Sequence, residues 1–242
     1  MTTGRIDVHT HLLPGIDDGC RSFDDSLQCA RTLVGAGYTH AFCTPHIWPT
    51  LPENPLDNVK RWTSELQWRL VAAGGPLRLS PGGEINLLWS WPAMRKLSRD
   101  QIVTYSFAGQ YVLFDFWADE LPEYLEPAVR HLKSLGLTSI LAHPERVVAL
   151  NRGDEAIERV QQMGVLLQMN TWCLTDPPER STRRAAERWL RAGRYFCFGT
   201  DSHNAASMPT RIEGVRLAEH LVGTEAVERL TVHNPRQLLA AV

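Results

Sequence analysis

Two histidine-containing motifs near opposite ends of the chain carry residue types that bind metal ions. Val8-His9-Thr10-His11-Leu12 follows a short apolar stretch, and Thr200-Asp201-Ser202-His203 follows another near the end of the sequence. In a β-strand, side chains two residues apart point to the same face, so His9 and His11 can converge on one ion. The two motifs therefore predict a metal site assembled from strand ends that are distant in sequence.

The predicted elements alternate in a way that favours a barrel. Apolar runs predict strands and amphipathic stretches predict helices. Seven strands are predicted, over residues 6–9, 40–44, 77–84, 111–116, 138–142, 165–169 and 195–199. Helices are predicted over residues 23–34, 56–72, 121–134, 154–163 and 180–191, with more after residue 211. This alternation favours a single α/β domain, residues 1–242, built as a barrel.

Six of these predicted strands end at or near a side chain that can bind a metal ion. In barrels of alternating strands and helices, active sites lie at the C-terminal ends of the strands. With Asp18 added from the first loop, the candidate ligands are His9, His11, Asp18, His46, Glu84, Asp115, His143, Asp201 and His203. Imidazole and carboxylate suit zinc, manganese or iron, and these groups exceed the roughly four to six positions of one ion. Two or three ions are implied.

The composition is that of an ordinary globular protein. The chain has 242 residues, of which 43% are hydrophobic, and its 25 basic and 27 acidic side chains give a formal net charge of −2. This near-balance argues against nucleic-acid binding. Five cysteines, without a C-x-x-C pair, favour reduced thiols and a cytoplasmic location. Because the sequence lacks a secretory pattern and an apolar run of about 18 residues, we expect no membrane insertion.

Several short motifs, in one order along nearly the whole chain, carry a family resemblance. They are the H-x-H pair, Ile16-Asp17-Asp18-Gly19, Thr44-Pro45-His46, Gly83-Glu84-Ile85, Ala142-His143-Pro144-Glu145-Arg146, Gln168-Met169-Asn170, Asp201-x-His203-Asn204 and Asn234-Pro235-Arg236. Together they resemble the PHP superfamily, the polymerase and histidinol phosphatase group. Within it, the sequence is most similar to bacterial tyrosine-protein phosphatases of the CpsB/CapC type.

The resemblance implies a distorted (β/α)7 TIM-like barrel, the PHP fold, with three divalent metal ions. Mn²⁺ is the expected metal, with Fe and Zn²⁺ as alternatives. By similarity, the first ion would be held by His9, His11, Glu84 and Asp201, and Glu84 would also bridge to the second. The second ion would add Asp115 and His143, and the third would use Asp18, His46 and His203.

Two arginines and one departure from the family pattern complete the set of expectations. Arg146 matches a family arginine that grips the substrate phosphate, and Arg211 is the candidate for a second. Asp115 stands where related proteins usually carry Glu, so its carboxylate is one methylene shorter. The second ion is therefore expected to be held more loosely than in relatives, to be bridged through a water or to be repositioned.

The expected chemistry is phosphate-ester hydrolysis. Clustered divalent ions neutralise charge on the phosphate and activate a bridging water, which attacks phosphorus as hydroxide. The resemblance implies a protein-tyrosine phosphatase whose partner is a phosphotyrosine protein, namely a bacterial tyrosine kinase that regulates capsule or exopolysaccharide synthesis. A thiolate mechanism is disfavoured, because it needs an arginine six positions after the cysteine and no cysteine here has one.

Other interpretations of the same residues stay open. A small-molecule phosphoesterase of the superfamily, similar to histidinol-phosphate phosphatase, would use the same ligands. A non-catalytic, metal-bound regulatory protein is supported only by the shortened Asp115. An amidohydrolase is disfavoured, because the Glu84, Asp115 and His143 pattern lacks the bridging lysine of that class. No sequence feature specifies a homo-oligomer, which is left open. Trp48 and Trp117 follow ligand-bearing strands, and we expect them to line the mouth of the site.

Overall fold

Parallel strands form the centre of the fold in the computed structural model, which describes residues 4–48, 51 and 54–239. Within these residues the strands are β1 (Arg5–Thr10), β2 (Tyr38–Cys43), β3 (His46–Ile47), β4 (Arg78–Pro81), β5 (Glu84–Asn86), β6 (Tyr111–Asp115), β7 (Thr138–Ala142), β8 (Leu166–Asn170) and β9 (Cys197–Gly199). They form a three-stranded sheet in the order β1-β2-β4 and a six-stranded sheet in the order β3-β5-β6-β7-β8-β9. Every pairing between these strands is parallel, and the predicted α/β class is confirmed.

Helices connect the strands and cover the sheets. They are α1 (Phe23–Gly35), α2 (Leu56–Ala72), α3 (Leu87–Met94), α4 (Leu125–Ser134), α5 (Val148–Asn151), α6 (Glu155–Gln162), α7 (Arg180–Arg191), α8 (Met208–Val222) and α9 (Thr224–Glu228). Short 3-10 turns at Pro144–Arg146, Thr171–Leu174 and Ala205–Ser207 follow β7, β8 and β9. Within the described ranges, every helix is too short or too polar to traverse a lipid bilayer.

Most helix positions follow the sequence pattern, but α3 and the four-residue helix α5 were not predicted. Helices α2 and α7 begin and end at the predicted residues. Helix α3 was missed because its sequence LLWSWPAM is apolar apart from Ser90 and contains Pro92. Such a segment lacks the 3.6-residue periodicity from which an amphipathic helix is recognised.

The predicted strand over residues 77–84 is divided into β4 and β5. Pro81, Gly82 and Gly83 interrupt it, and the backbone there bonds to the preceding strand through Gly82 N to Cys43 O at 2.9 Å. A Cβ on Gly83 would lie 2.6 Å from Val103 Cγ1, so only glycine fits at this bend. The bend transfers the chain from the first sheet to the second.

The two sheets share one enclosed core and meet again at the start and end of the chain. Buried side chains from strands of both sheets contact one another, namely Ile6, Val8, Phe42, Leu113, Ile140, Ala142 and Cys197. At the C-terminal ends of β1 and β9, Asp201 N donates to His9 O at 2.8 Å and His11 N donates to Ser202 O at 2.9 Å. The curled parallel sheets therefore bring the first and last predicted motifs side by side.

Candidate metal centre

The nine predicted ligands lie together at the C-terminal ends of the strands. Three groups have ligand atoms within 4.8 Å of one another: His9, His11 and Glu84; Glu84, Asp115 and His143; and His11, Asp18, His46 and His203. Asp201 lies beside the first group, with its Oδ1 at 3.3 Å from His11 Nε2 and 3.6 Å from His9 Nε2. Glu84 and His11 each belong to two groups, so the three groups form one connected cluster.

Glu84 lies at the centre of this cluster and is completely buried. Its Oε1 is 2.8 Å from His143 Nε2, and its Oε2 is 2.8 Å from His46 Nδ1. The same Oε2 lies 3.4 Å from His9 Nε2. Burial alone would raise the pKa of Glu84, but the imidazoles of His9 and His46 outweigh it and lower the pKa well below its usual range. The carboxylate is therefore ionised and able to bridge two cations.

A chain of three hydrogen bonds fixes which nitrogen of His9 faces the cluster. Asp201 Oδ2 can only accept, so Asn170 Nδ2 donates to it at 2.7 Å. Asn170 Oδ1 then accepts from Gln168 Nε2 at 3.1 Å, and Gln168 Oε1 accepts from His9 Nδ1 at 2.8 Å. His9 is therefore protonated on Nδ1, which leaves the Nε2 lone pair for a metal ion.

Gln168 was identified only as part of a motif, and its contact with His9 is decided by the structure. Gly199 of β9 allows this packing, because a Cβ there would lie 2.5 Å from His9 Cβ and 2.9 Å from Gln168 Nε2. The close approach of β9 to the His9–Gln168 pair thus requires a glycine.

Asp17 performs the same function for His11, and sequence reasoning did not assign it a role. Its Oδ2 accepts from His11 Nδ1 at 2.7 Å and from His46 N at 3.1 Å, while its Oδ1 accepts from Gly19 N at 3.0 Å. The Asp17 side chain is fully buried, whereas that of the neighbouring Asp18 is 67% exposed. The two aspartates therefore point in opposite directions, one behind the histidines and one into the site.

Asp18, His46 and His203 form the outermost group. Asp18 Oδ1 is 3.3 Å from His46 Nε2 and 3.4 Å from His203 Nε2. The Nδ1 of His203 lies 2.8 Å from the carbonyl oxygen of Asp201, which fixes it as the protonated nitrogen. The hydrogen bonds to His203 and His46 lower the pKa of Asp18 well below its usual range. Three ligand atoms thus face one another at the solvent side of the cluster.

Asp115 and His143 lie on the opposite side of Glu84. Both are buried, and Asp115 Oδ1 accepts from Asn86 Nδ2 at 3.0 Å. Burial and the nearby Glu84 carboxylate raise the pKa of Asp115 to about 7. Burial and the Arg146 guanidinium lower the pKa of His143 to about 4. His143 is consequently neutral at pH 7, which is the form that binds metal ions.

Two of the candidate ligands have strained backbones. His143 adopts φ 34° and Asp201 adopts φ 52°, both in the left-handed region that non-glycine residues rarely occupy. His143 directly follows β7, and Asp201 is the second residue after β9. Such strain costs about 1–3 kcal/mol per residue and is concentrated at functional sites. With this backbone, the His143 side chain faces Glu84 and the Asp201 side chain faces His11.

The buried polar atoms of the cluster fit divalent metal ions. Among the described residues, Glu84 Oε2 and His46 Nδ1 are buried without a hydrogen-bond partner. These two atoms are 2.8 Å apart, but they are not aligned to form a hydrogen bond. His9 Nε2 and His11 Nε2 approach to 3.1 Å, although His9 carries its proton on the other nitrogen. The lone pairs of His9 Nε2 and His11 Nε2, which face a common point, are those of ligands to a shared cation.

A pocket of about 340 Å³ opens onto the cluster and contains both predicted arginines. Its lining is Asp18, His46, Trp48, Glu84, Asp115, Trp117, His143, Arg146, Trp172, Asp201, His203 and Arg211. Arg146 Nη1 donates to Asp201 Oδ2 at 3.2 Å, and Arg211 Nη1 donates to the carbonyl oxygen of Thr200 at 2.7 Å. The pocket therefore combines carboxylates and imidazoles at its base with two guanidinium groups at its wall.

Aromatic side chains surround the mouth of the pocket. Trp48 stacks on His46, with ring centroids 4.3 Å apart, and Trp117 is 46% exposed. The guanidinium carbon of Arg146 lies 4.6 Å from the centroid of the Trp117 ring. Trp48 and Trp117 thus occupy the positions predicted for them, and the structure adds Trp172 as a third tryptophan that the sequence did not single out.

The chain matches the model of one protein family over almost its entire length. That family is described as "Capsular polysaccharide synthesis, CpsB/CapC", and the match covers residues 5–240. The tyrosine-protein phosphatase YwqE of Bacillus subtilis is 26% identical over 227 residues, which are 93% of this chain and 88% of that protein. The tyrosine-protein phosphatase CpsB of Streptococcus pneumoniae is 24% identical over 242 residues, 97% of this chain and 98% of that protein.

A solved structure supports the same relationship. It comes from the crystal structures of YwqE from Bacillus subtilis and CpsB from Streptococcus pneumoniae, two proteins described as unique metal-dependent tyrosine phosphatases. The match has a TM-score of 0.86 and 25% sequence identity, and it covers 96% of this chain and 94% of the other. From the family match across residues 5–240, this chain belongs to the CpsB/CapC family.

Proposed function

We propose that this protein is a metal-dependent protein-tyrosine phosphatase. The observation that carries the proposal is the convergence of nine imidazole and carboxylate side chains below two arginines in one pocket. The relatives named above, YwqE and CpsB, are tyrosine-protein phosphatases by name. The candidate metal centre, in a chain that belongs to the CpsB/CapC family, supports the same reaction here.

We further propose that the cluster holds three divalent ions, with Mn²⁺ as the native metal. His9, His11, Glu84 and Asp201 would hold the first; Glu84, Asp115 and His143 the second; and Asp18, His46 and His203 the third. When bound, such ions supply an activated water as nucleophile and neutralise negative charge on the phosphate. Fe and Zn²⁺ are the alternatives, since imidazole and carboxylate ligands also suit them.

Arg146 and Arg211 bind the substrate phosphate in this proposal. A guanidinium group presents paired donors that match two phosphate oxygens, and the pocket wall places both groups next to the metal ligands. Arg146 is anchored by Asp201, and Arg211 by Thr200 and by Ser207, whose Oγ is 3.2 Å from its Nε. These anchors hold the donors in place before the substrate arrives, which favours stabilisation of charge in the transition state.

The tryptophans at the mouth favour an aryl phosphate as substrate. Trp117 and Trp48 both line the pocket that an aromatic ring would enter. Nearly half of the Trp117 surface is exposed, and Trp48 stacks on His46. The ring of a tyrosine side chain can pack on these indoles in an offset or edge-to-face geometry. The phenolate of tyrosine, with a pKa of about 10, is a good leaving group. The physiological substrate in this proposal is a phosphorylated tyrosine kinase that regulates capsule or exopolysaccharide synthesis in the cytoplasm.

The proposed fold of the whole chain is one distorted (β/α)7 barrel in a single domain. In this fold, β2 and β3 would count as one barrel strand bent at Pro45, and β4 and β5 as one barrel strand bent at Gly83. The nine strands would then form seven barrel strands. The bridge between Thr10 and Ser202 would then close the ring between the first and last strands.

A substrate panel tests the proposed reaction. Protein loaded with Mn²⁺ is incubated with a phosphotyrosine peptide, para-nitrophenyl phosphate, a phosphoserine peptide and histidinol phosphate, and phosphate release is measured. We expect turnover of the first two substrates, loss of activity with a chelator, and recovery with added Mn²⁺. Preferential hydrolysis of histidinol phosphate would favour a small-molecule phosphoesterase instead. Metal-replete protein that releases no phosphate from any of them would refute the proposal and favour a regulatory role.

A further inference from the structure

Trp172 lies next to both arginines of the pocket. The guanidinium carbon of Arg146 is 5.3 Å from the centroid of its ring, and that of Arg211 is 5.6 Å from it. All three residues line the same pocket. A cation within about 6 Å of a tryptophan ring is attracted by the negative potential of its face. One indole therefore interacts with both of the cationic groups in this wall.

Two guanidinium groups so close to one ring repel each other when no phosphate is present. Arg211 is 9% exposed, and its burial lowers the pKa of the guanidinium. The carboxylates of Asp201 and Asp7 favour the charged form of Arg211, but its hydrogen bonds described above go to a carbonyl and a hydroxyl oxygen. The indole face offsets part of the repulsion and of the lost hydration. Without it, we expect the two arginines to move apart.

The backbone around Trp172 is fixed against the helix that carries Arg211. The 3-10 turn Thr171–Leu174 packs on α8 so closely that a Cβ on Gly214 would lie 2.0 Å from the carbonyl oxygen of Thr171. Thr175 Oγ1 also donates to the carbonyl oxygen of Thr210 at 3.1 Å. The distance between the indole and Arg211 is therefore set by direct contact between the two segments.

We propose that Trp172 is a positioning residue that holds Arg146 and Arg211 side by side as a two-arginine clamp for the substrate phosphate. This inference rests on the proposed phosphatase function. It assigns Trp172 a role through its aromatic face, so another aromatic residue should substitute for it and an aliphatic residue of lower polarisability should not. Trp117, at the mouth of the pocket, has a cation–π contact with Arg146, whereas Trp172 has one with each arginine.

Two variants separate the aromatic face from simple packing. Trp172→Leu removes the ring, and Trp172→Phe retains a smaller one. Trp68→Leu is the matched control, since Trp68 lies on α2 and is 64% exposed. The readouts are kcat and KM for a phosphotyrosine peptide, the inhibition constant of inorganic phosphate, and phosphate binding measured by calorimetry on Mn²⁺-loaded protein.

We expect Trp172→Leu to weaken phosphate binding about tenfold and to raise KM by a similar factor. Trp172→Phe should stay within about threefold of the wild type, and Trp68→Leu should not differ from it. Misfolding would reduce the amount of active enzyme and hence the apparent kcat, but it would leave KM and the inhibition constant unchanged. The two explanations are thus separated by the same data set.

Unchanged phosphate binding in folded Trp172→Leu would overturn the inference, and so would an equal loss in Trp172→Phe. The phosphatase proposal fails separately, if the wild-type protein hydrolyses no phosphotyrosine substrate. In that event the calorimetric titration with inorganic phosphate still tests whether Trp172 organises the two arginines.

Discussion

Removing the carboxylate of Asp17 should weaken metal binding although this residue faces away from the ion positions. Asp17 accepts hydrogen bonds from His11 Nδ1, His46 N and Gly19 N, at 2.7, 3.1 and 3.0 Å. Asp17→Ala leaves all three donors without this acceptor. The imidazole of His11 then loses the contact that fixes its proton on Nδ1 and directs Nε2 toward the cluster.

The size of the effect follows from the bond to His11. A hydrogen bond to a charged group contributes about 1.5–3 kcal/mol. Loss of a group that orients a metal-bound histidine typically lowers metal affinity by about 10- to 100-fold. Because a tenfold change corresponds to about 1.4 kcal/mol, the two figures agree. Asp17→Asn keeps one acceptor oxygen, so we expect an intermediate loss.

Calorimetric titration of metal-free protein with Mn²⁺ measures this effect directly. Thermal unfolding of the metal-free and metal-loaded forms shows how much of the loss is general destabilisation. Asp24→Asn is the control, since Asp24 is exposed at the start of α1 and has no contact with the cluster. An Asp17→Ala variant that binds Mn²⁺ as tightly as the wild type would refute the reasoning about His11.

Four further predictions concern the cluster and its mouth. His143→Ala should abolish turnover and leave the circular dichroism spectrum nearly unchanged; wild-type turnover would exclude His143 from the site. Asp115→Asn should reduce the metal content, measured by mass spectrometry, from three ions per chain to two, and retention of all three would exclude this carboxylate as a ligand. Trp117→Ala should raise KM for aryl phosphates more than for alkyl phosphates, and equal changes would argue against ring contact. Although burial favours the neutral form, Glu84 raises the pKa of His46 to about 10, so this imidazole is protonated in the metal-free protein at neutral pH. Below pH 10, Mn²⁺ binding should therefore release protons, and the affinity for Mn²⁺ should rise as the pH rises toward 10. Calorimetric titration in buffers of different ionisation enthalpy measures the number of protons released.

Local sequence was sufficient for most helices and strands and for the residue types of the candidate ligands. The periodicity of apolar residues located helices α2 and α7 at their observed bounds, because an amphipathic helix requires a repeat near 3.6 residues. The H-x-H spacing on a strand requires both imidazoles on one face, and His9 and His11 do share that face. Helix α3 lacks such a repeat, and for that reason it was missed.

Contacts between distant segments decided the remaining features of the site. Asp17 and Asp18 are adjacent and chemically identical, yet the loop conformation buries one behind His11 and exposes the other toward His46. The pairing of Gln168 with His9 joins strands that are 159 residues apart in sequence. Trp172 meets Arg211 only because the turn after β8 packs on α8.

The sequence by itself determined which side chains can bind metal ions and at which strand ends they stand, because both depend on residue type and local periodicity. The tertiary structure alone decided how these side chains are oriented and which arginines and aromatic rings face them. Orientation depends on hydrogen bonds and close packing between segments far apart along the chain, and local sequence patterns do not encode those contacts.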